Sequence, residues 1–189
     1  MKKLTYIIAF VAFGTLLSFQ SVNDEPEAEI NWMTLEEAIE LQKETPKKII
    51  MDVYTNWCGP CKMLDKYTFH NEDVVNYINE HYYAVKFNAE GNDTVTYKER
   101  TFTNPGYDPA KAKRRNSSHE FSRYLRVRAF PTMVFFDEEA NYITPISGYL
   151  KPRQIELYLK LFKTDKYKEM DTQEKFNEYY RSFEPTFKE

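Results

Sequence analysis

Only two cysteines occur in this chain of 189 residues, and both lie in one pentapeptide, Trp57-Cys58-Gly59-Pro60-Cys61. A pair separated by two residues can close into a disulfide and reopen without moving the rest of a fold. Proline is tolerated in a first helical turn, because its missing N–H would be unpaired there anyway. A helix starting at Gly59-Pro60 therefore puts Cys58 at its N-terminus, where unpaired N–H groups and the macrodipole favour a thiolate. The competing reading of Cys-x-x-Cys is half of a zinc site, which needs two more soft ligands. No other cysteine exists, and His70, His81 and His119 lack His-x3-His spacing, so no metal is expected.

The flanks sharpen the reading. Ile49-Ile50-Met51-Asp52-Val53-Tyr54 is an apolar run with one acid in it. Its length and branching predict a buried strand that ends just before the cysteine loop. A carboxylate inside such a strand is costly unless it has a use. Thr34-Leu35-Glu36-Glu37 is a capping box opening a helix with Leu35, Ala38, Ile39 and Leu41 inward. Asn71-Glu72-Asp73 starts a helix carrying Val74, Val75 and Ile78. Tyr82–Phe87 reads as the next strand. Met133–Asp137 and Tyr142–Ile146 form a hairpin signal, and Pro152 begins a helix with Ile155, Leu157 or Tyr158, Leu159 and Phe162 inward. Pro131, at the mouth of the first hairpin strand, occupies a position where proline is often cis and often shapes a binding surface. Strand–helix–strand, then a hairpin and a closing helix, predicts an α/β fold with a mixed sheet and helices on both faces.

Together these residues resemble the thioredoxin family. The pieces that match are Asp52, the Trp57–Cys61 motif with Lys62, the strand end Lys86-Phe87-Asn88, Arg128 through Thr132, and Gly148 before a last helix. They span residues 33 to 162. Asp65-Lys66-Tyr67-Thr68-Phe69 and Asp73-Val74-Val75 are also similar to the secreted thioredoxin-like domains that end membrane electron-transfer proteins. The resemblance implies a thioredoxin fold and thiol–disulfide exchange. Cys58 would be the attacking sulfur and Cys61 the resolving one. Asp52, buried behind Cys61, would accept its proton; the alternative is an acid simply paired with Lys86, which the family also places nearby. Trp57, Gly59, Pro60, Phe130 and Pro131 would contact the substrate, and Lys86 would support the site. No cofactor is implied. Gly-Pro between the cysteines resembles the reducing members, with disulfide-containing proteins as substrates and a membrane electron donor as the source of electrons. A peptide-binding or chaperone-like module, with the cysteines secondary, is the alternative function; an anchored assembly partner acting through the insertion and tail is another.

Lys2 and Lys3 before the apolar run Leu4–Leu17 read as a secretory signal over residues 1–20. That run is short for a membrane span, although an uncleaved anchor is the competing reading. Residues 21–30 read as a flexible acidic linker, and the expected location is a bacterial periplasm. The remainder, 31–163, has the size of one domain. A formal charge of −3 points to neither nucleic acid nor a charged membrane surface. Fifteen Tyr and fourteen Phe predict an aromatic core.

Two segments exceed the family pattern. An insertion over about residues 90–120 reads as a short hairpin (Thr94–Tyr97 with Thr101–Thr103), followed by the cap Asp108-Pro109 and by a capping box, Ser117-Ser118-His119-Glu120, leading into Phe121, Tyr124 and Leu125. Its length suggests a partner-selecting addition outside the core. The Lys111–Arg115 run reads as a solvated face, with an acidic docking partner as the sharper alternative. The tail, 164–189, carries Phe176, Tyr179, Tyr180 and Phe183 at helical spacing and predicts one amphipathic helix packed on the domain.

Overall fold

The structure is a computed structural model that describes residues 29–189. The signal and most of the linker expected at the N-terminus lie outside the described residues.

Lys48–Tyr54 (β2) is the central strand of a five-stranded sheet. Tyr82–Asn88 (β3) runs parallel to it on one side, and Thr132–Phe136 (β6) runs antiparallel on the other. Trp32–Met33 (β1) extends the β3 edge in parallel, and Tyr142–Ser147 (β7) extends the β6 edge as the hairpin partner. Side chains alternate across a pleated strand. Ile49, Met51 and Val53 therefore face a layer built from Leu35, Ala38, Phe121, Val134 and Phe136. Ile50 faces the opposite layer of Leu64, Val74, Val75, Ile78, Met133, Phe135, Ile155 and Leu159. Asp52 is in phase with Ile50, which puts the acid on the side of the cysteine-bearing helix.

That helix, Gly59–Tyr67 (α2), shares its face of the sheet with Glu72–His81 (α3) and Pro152–Lys163 (α5). Leu35–Glu44 (α1) and Glu120–Tyr124 (α4) cover the other face. The Thr34–Glu37 capping box forms as expected, with both reciprocal bonds present. Leu41, expected inward, is exposed. The helix ends one turn later, and Gln42, not Leu41, is the buried residue there; its amide donates to the Lys47 and Asp137 carbonyls.

Two further expectations are corrected. Between β3 and α4, Val95–Tyr97 (β4) and Arg100–Phe102 (β5) form an antiparallel hairpin. Val95, Tyr97 and Phe102 are buried against Phe121 and Phe136, so this part of the insertion belongs to the core. The capping box Ser117–Glu120 does not form. His119 is the cap: its Nδ1 accepts the Phe121 N–H, while Nε2 meets the Asp93 carbonyl at 2.7 Å. A carbonyl can only accept, so Nε2 carries the proton. Glu120 instead reaches back to the Thr103 N–H and hydroxyl. His119 and Glu120 thus tie both ends of the hairpin segment to α4.

At the C-terminus, Gln173–Ser182 (α6) lays Phe176 and Tyr179 on the core layer of α5, while Tyr180 stays exposed. Beyond it, the chain is pinned by Glu156. This fully buried carboxylate accepts the Thr186 and Phe187 N–H groups, the Thr186 hydroxyl and the Lys160 ammonium. Burial alone would raise the Glu156 carboxyl, but these donors outweigh it and hold it below its ordinary value.

Candidate active site

Chain direction and helix polarity bring the two cysteines to one end of the sheet. Strand β2 ends at Tyr54, a turn over Thr55–Trp57 follows, and α2 begins. Cys58 and Cys61 are joined by a disulfide with their Cα atoms 5.3 Å apart. Cys58 is the N-cap of α2, and its Sγ accepts the Cys61 N–H at 3.1 Å. After reduction, the same N–H and the helix N-terminus face the Cys58 sulfur, which favours its thiolate. Both sulfur-bearing residues are nearly covered, at 3% and 6% exposure.

Behind the disulfide lies a cavity of about 200 Å³ lined by Asp52, Tyr54, Thr55, Cys61, Asp65 and Lys86. Asp52 is 3% exposed, and its Oδ1 has no hydrogen-bond partner among the described residues. Burial pushes its carboxyl up to about 7, against a smaller downward pull from Lys86 and aided by a smaller upward push from Asp65. Lys86 stands beside Asp52 in the strand register, yet its ammonium is ion-paired with Asp65. It also lies over the rings of Trp32 and Tyr54. The simple Asp52–Lys86 pair offered by the sequence does not form, because Asp65, one helical turn after Cys61, takes the lysine.

In front of the disulfide, the Phe130–Pro131 peptide bond is cis, as the position suggested. Phe130 packs edge-on against Trp57, with ring centroids 6.4 Å apart. A groove of about 590 Å³ is lined by Trp57, Cys58 and Pro60 together with Arg115, Arg128 and Phe130. Of the sequence-predicted site residues, Asp52 and Lys86 line the cavity behind Cys58–Cys61, and Trp57, Gly59, Pro60 and Phe130 line the groove at Cys58; Pro131, next to Phe130, is buried and does not line it.

A family model described as a thioredoxin-like domain matches residues 35–163. The chain belongs to the thioredoxin-like family. Its sequence is similar to that of the thiol:disulfide interchange protein DsbD of Pectobacterium atrosepticum, at 24% identity over 121 residues. That alignment covers 63% of this chain and 17% of the DsbD sequence, so the chain spans about a sixth of the relative's length. Among solved structures it is similar to a thioredoxin-fold protein from Helicobacter pylori, with a TM-score of 0.55 and 18% identity over 82% of this chain and 91% of that one. It is also similar to a thioredoxin from Thermus thermophilus, with a TM-score of 0.52 and 14% identity over 71% of this chain and 87% of that one. These likenesses carry the fold: a mixed central sheet flanked by helices, with a helix closing the chain.

Within this thioredoxin-like frame, three residues to which the motifs assign no site role make site contacts. Asp65 has a local signal, since a residue four after Cys61 shares its helix face. Glu90 has none. It follows β3 and accepts both the Trp57 indole N–H and the Asn116 N–H, each at 2.7 Å. Arg115 sits in a charge run that looks solvated, yet its guanidinium lies 4.8 Å from the centroid of the Trp57 ring. No helix among the described residues is long and apolar enough to cross a membrane.

Proposed function

We propose that this protein is a thiol–disulfide oxidoreductase that reduces disulfides in proteins outside the cytoplasm. The observation that carries the reading is the Cys58–Cys61 disulfide capping α2, with the buried acid Asp52 on the same cavity as Cys61. In the reduced protein, the Cys58 thiolate attacks one sulfur of a substrate disulfide. The other substrate sulfur leaves as a thiolate and takes a proton. Cys61 then gives its proton to Asp52 and attacks the Cys58 sulfur, and the second substrate sulfur departs. Two electrons pass to the substrate, and the Cys58–Cys61 disulfide remains. A carboxyl titrating near 7 can take the Cys61 proton at neutral pH and return it to water.

Trp57 and Phe130 form the contact surface for the substrate chain beside Gly59 and Pro60, and Pro131 supports Phe130 from within. Lys86 limits how far burial raises Asp52. The oxidised pair is re-reduced by exchange with a dithiol donor; the likeness to DsbD, together with the signal-like N-terminus, supports a membrane-bound donor and a periplasmic setting.

Reduction of insulin by dithiothreitol, monitored by turbidity, tests this reading. The native protein should accelerate it and Cys58→Ser should not, whereas Cys61→Ser should accumulate mixed disulfides. Full activity of Cys58→Ser would overturn the proposal and favour a binding module.

A further inference from the structure

The insertion reaches the redox site through one short segment. The Asn56 side-chain amide, in the turn before Trp57, donates to the Ala112 carbonyl at 2.9 Å. Glu90 joins the Trp57 indole to the Asn116 backbone. Asn116 in turn is locked to Asp108 by two hydrogen bonds of 3.0 and 2.8 Å. Residues 112–116 are therefore stapled to the redox loop, and Arg115 is held where its guanidinium stacks on Trp57. Arg128, on the segment leading to Pro131, lines the same groove. Both arginines are exposed, and among the described residues neither enters an ion pair. Glu90 is the one carboxylate on the groove wall, and its Oε2 is taken by two N–H donors.

We propose that Arg115 and Arg128 form an acid-reading subsite beside Cys58, which selects disulfides flanked by Asp or Glu in the protein that docks there. The inference rests on the reductase reading and adds the chemistry of its partner. A stacked guanidinium is preorganised, so it can offer its planar pair of N–H groups to a carboxylate with little further ordering. Two cations lining one groove, only Arg115 of them stacked, raise the local concentration of an acidic segment before exchange begins. The remaining charges of the run, Lys111, Lys113 and Arg114, do not line the groove. Within the run the contribution therefore belongs to Arg115, which acts with Arg128, and not to the run as a whole.

The test uses two disulfide-bridged peptides of equal length, one with Asp and Glu beside the cysteines and one with Lys, reduced by the full protein with dithiothreitol as donor. The ratio of their kcat/KM values should favour the acidic peptide by about tenfold at low salt. It should fall toward one as ionic strength rises and the Debye length shrinks. Arg115→Gln should cut the ratio severalfold, and the double charge reversal Arg115→Glu with Arg128→Glu should invert it. Each ratio compares two peptides on one variant, so partial loss of folded protein cancels. Equal rates for both peptides on the native protein, or a ratio untouched by the charge reversal, would overturn the subsite while leaving the reductase intact. No reduction of either peptide would overturn the reductase reading itself, and the subsite with it.

Discussion

Replacing Asp52 with asparagine keeps the shape of the buried acid and removes its charge. In the folded protein burial lifts this carboxyl from an ordinary 3.8 to about 7. In the unfolded chain it ionises near the ordinary value. Between these two pH values the unfolded state has released a proton that the folded state still holds. Stability therefore falls as pH rises through that window and levels off above about 7. Each pH unit is worth about 1.4 kcal/mol, so the whole window amounts to roughly 4 kcal/mol. For a domain of this size, that corresponds to a rise in Tm of about 8–16 °C. Thermal unfolding of the oxidised native protein and of Asp52→Asn at pH 4 and pH 8 reads it directly. The variant should melt higher at pH 8, and the gap should close at pH 4. Its release of reduced substrate at neutral pH should slow by roughly 10- to 100-fold, at or below the usual range for a general base because water also reaches the site. A gap of equal size at both pH values, or a variant that melts lower at pH 8, would refute the assignment of Asp52 as a buried acid with a raised pKa.

Three other outcomes follow from the same contacts. Asp65→Asn should free Lys86 to turn toward Asp52, its neighbour in register, and move the acid limb of the pH–rate profile down by about one pH unit or more; an unmoved limb would remove Asp65 from the tuning of the site. Glu156→Ala strands the Thr186 and Phe187 N–H groups and should destabilise the fold by about 2–4 kcal/mol, with limited proteolysis cutting first near the C-terminus. Tyr97→Ala should cost about 3–5 kcal/mol in denaturant unfolding, as befits a core aromatic; a loss under 1 kcal/mol would return the hairpin to the status of an appendage.

The sheet and the redox loop are legible in the sequence because their signals are local. Apolar runs over Ile49–Tyr54 and Met133–Phe136 have the length of buried strands, and Cys58-Gly59-Pro60-Cys61 carries its own helix start. The Thr34–Glu37 box closes within a single turn. Misreadings occur where a side chain has two available partners. Glu120 can cap its own helix or bond Thr103, and the hairpin beside it decides for Thr103. Lys86 can pair with Asp52 across the sheet or with Asp65 on α2; pairing with Asp65 leaves the more buried acid without a direct partner and its carboxyl raised. The hairpin's place in the core follows from how Tyr97 and Phe102 meet Phe121, a contact between segments far apart along the chain. Glu156 shows neither its burial nor its hold on Thr186 in a pattern of helical spacing, since its partners lie 30 residues away.

The reduction potential of the Cys58–Cys61 pair, from equilibration with glutathione or dithiothreitol buffers, bears most directly on the proposed function. A reductase with a modestly favoured Cys58 thiolate and a proton acceptor for Cys61 should lie close to thioredoxin, at about −270 mV. A value at or above about −150 mV, in the range of strongly oxidising family members, would contradict a reducing role.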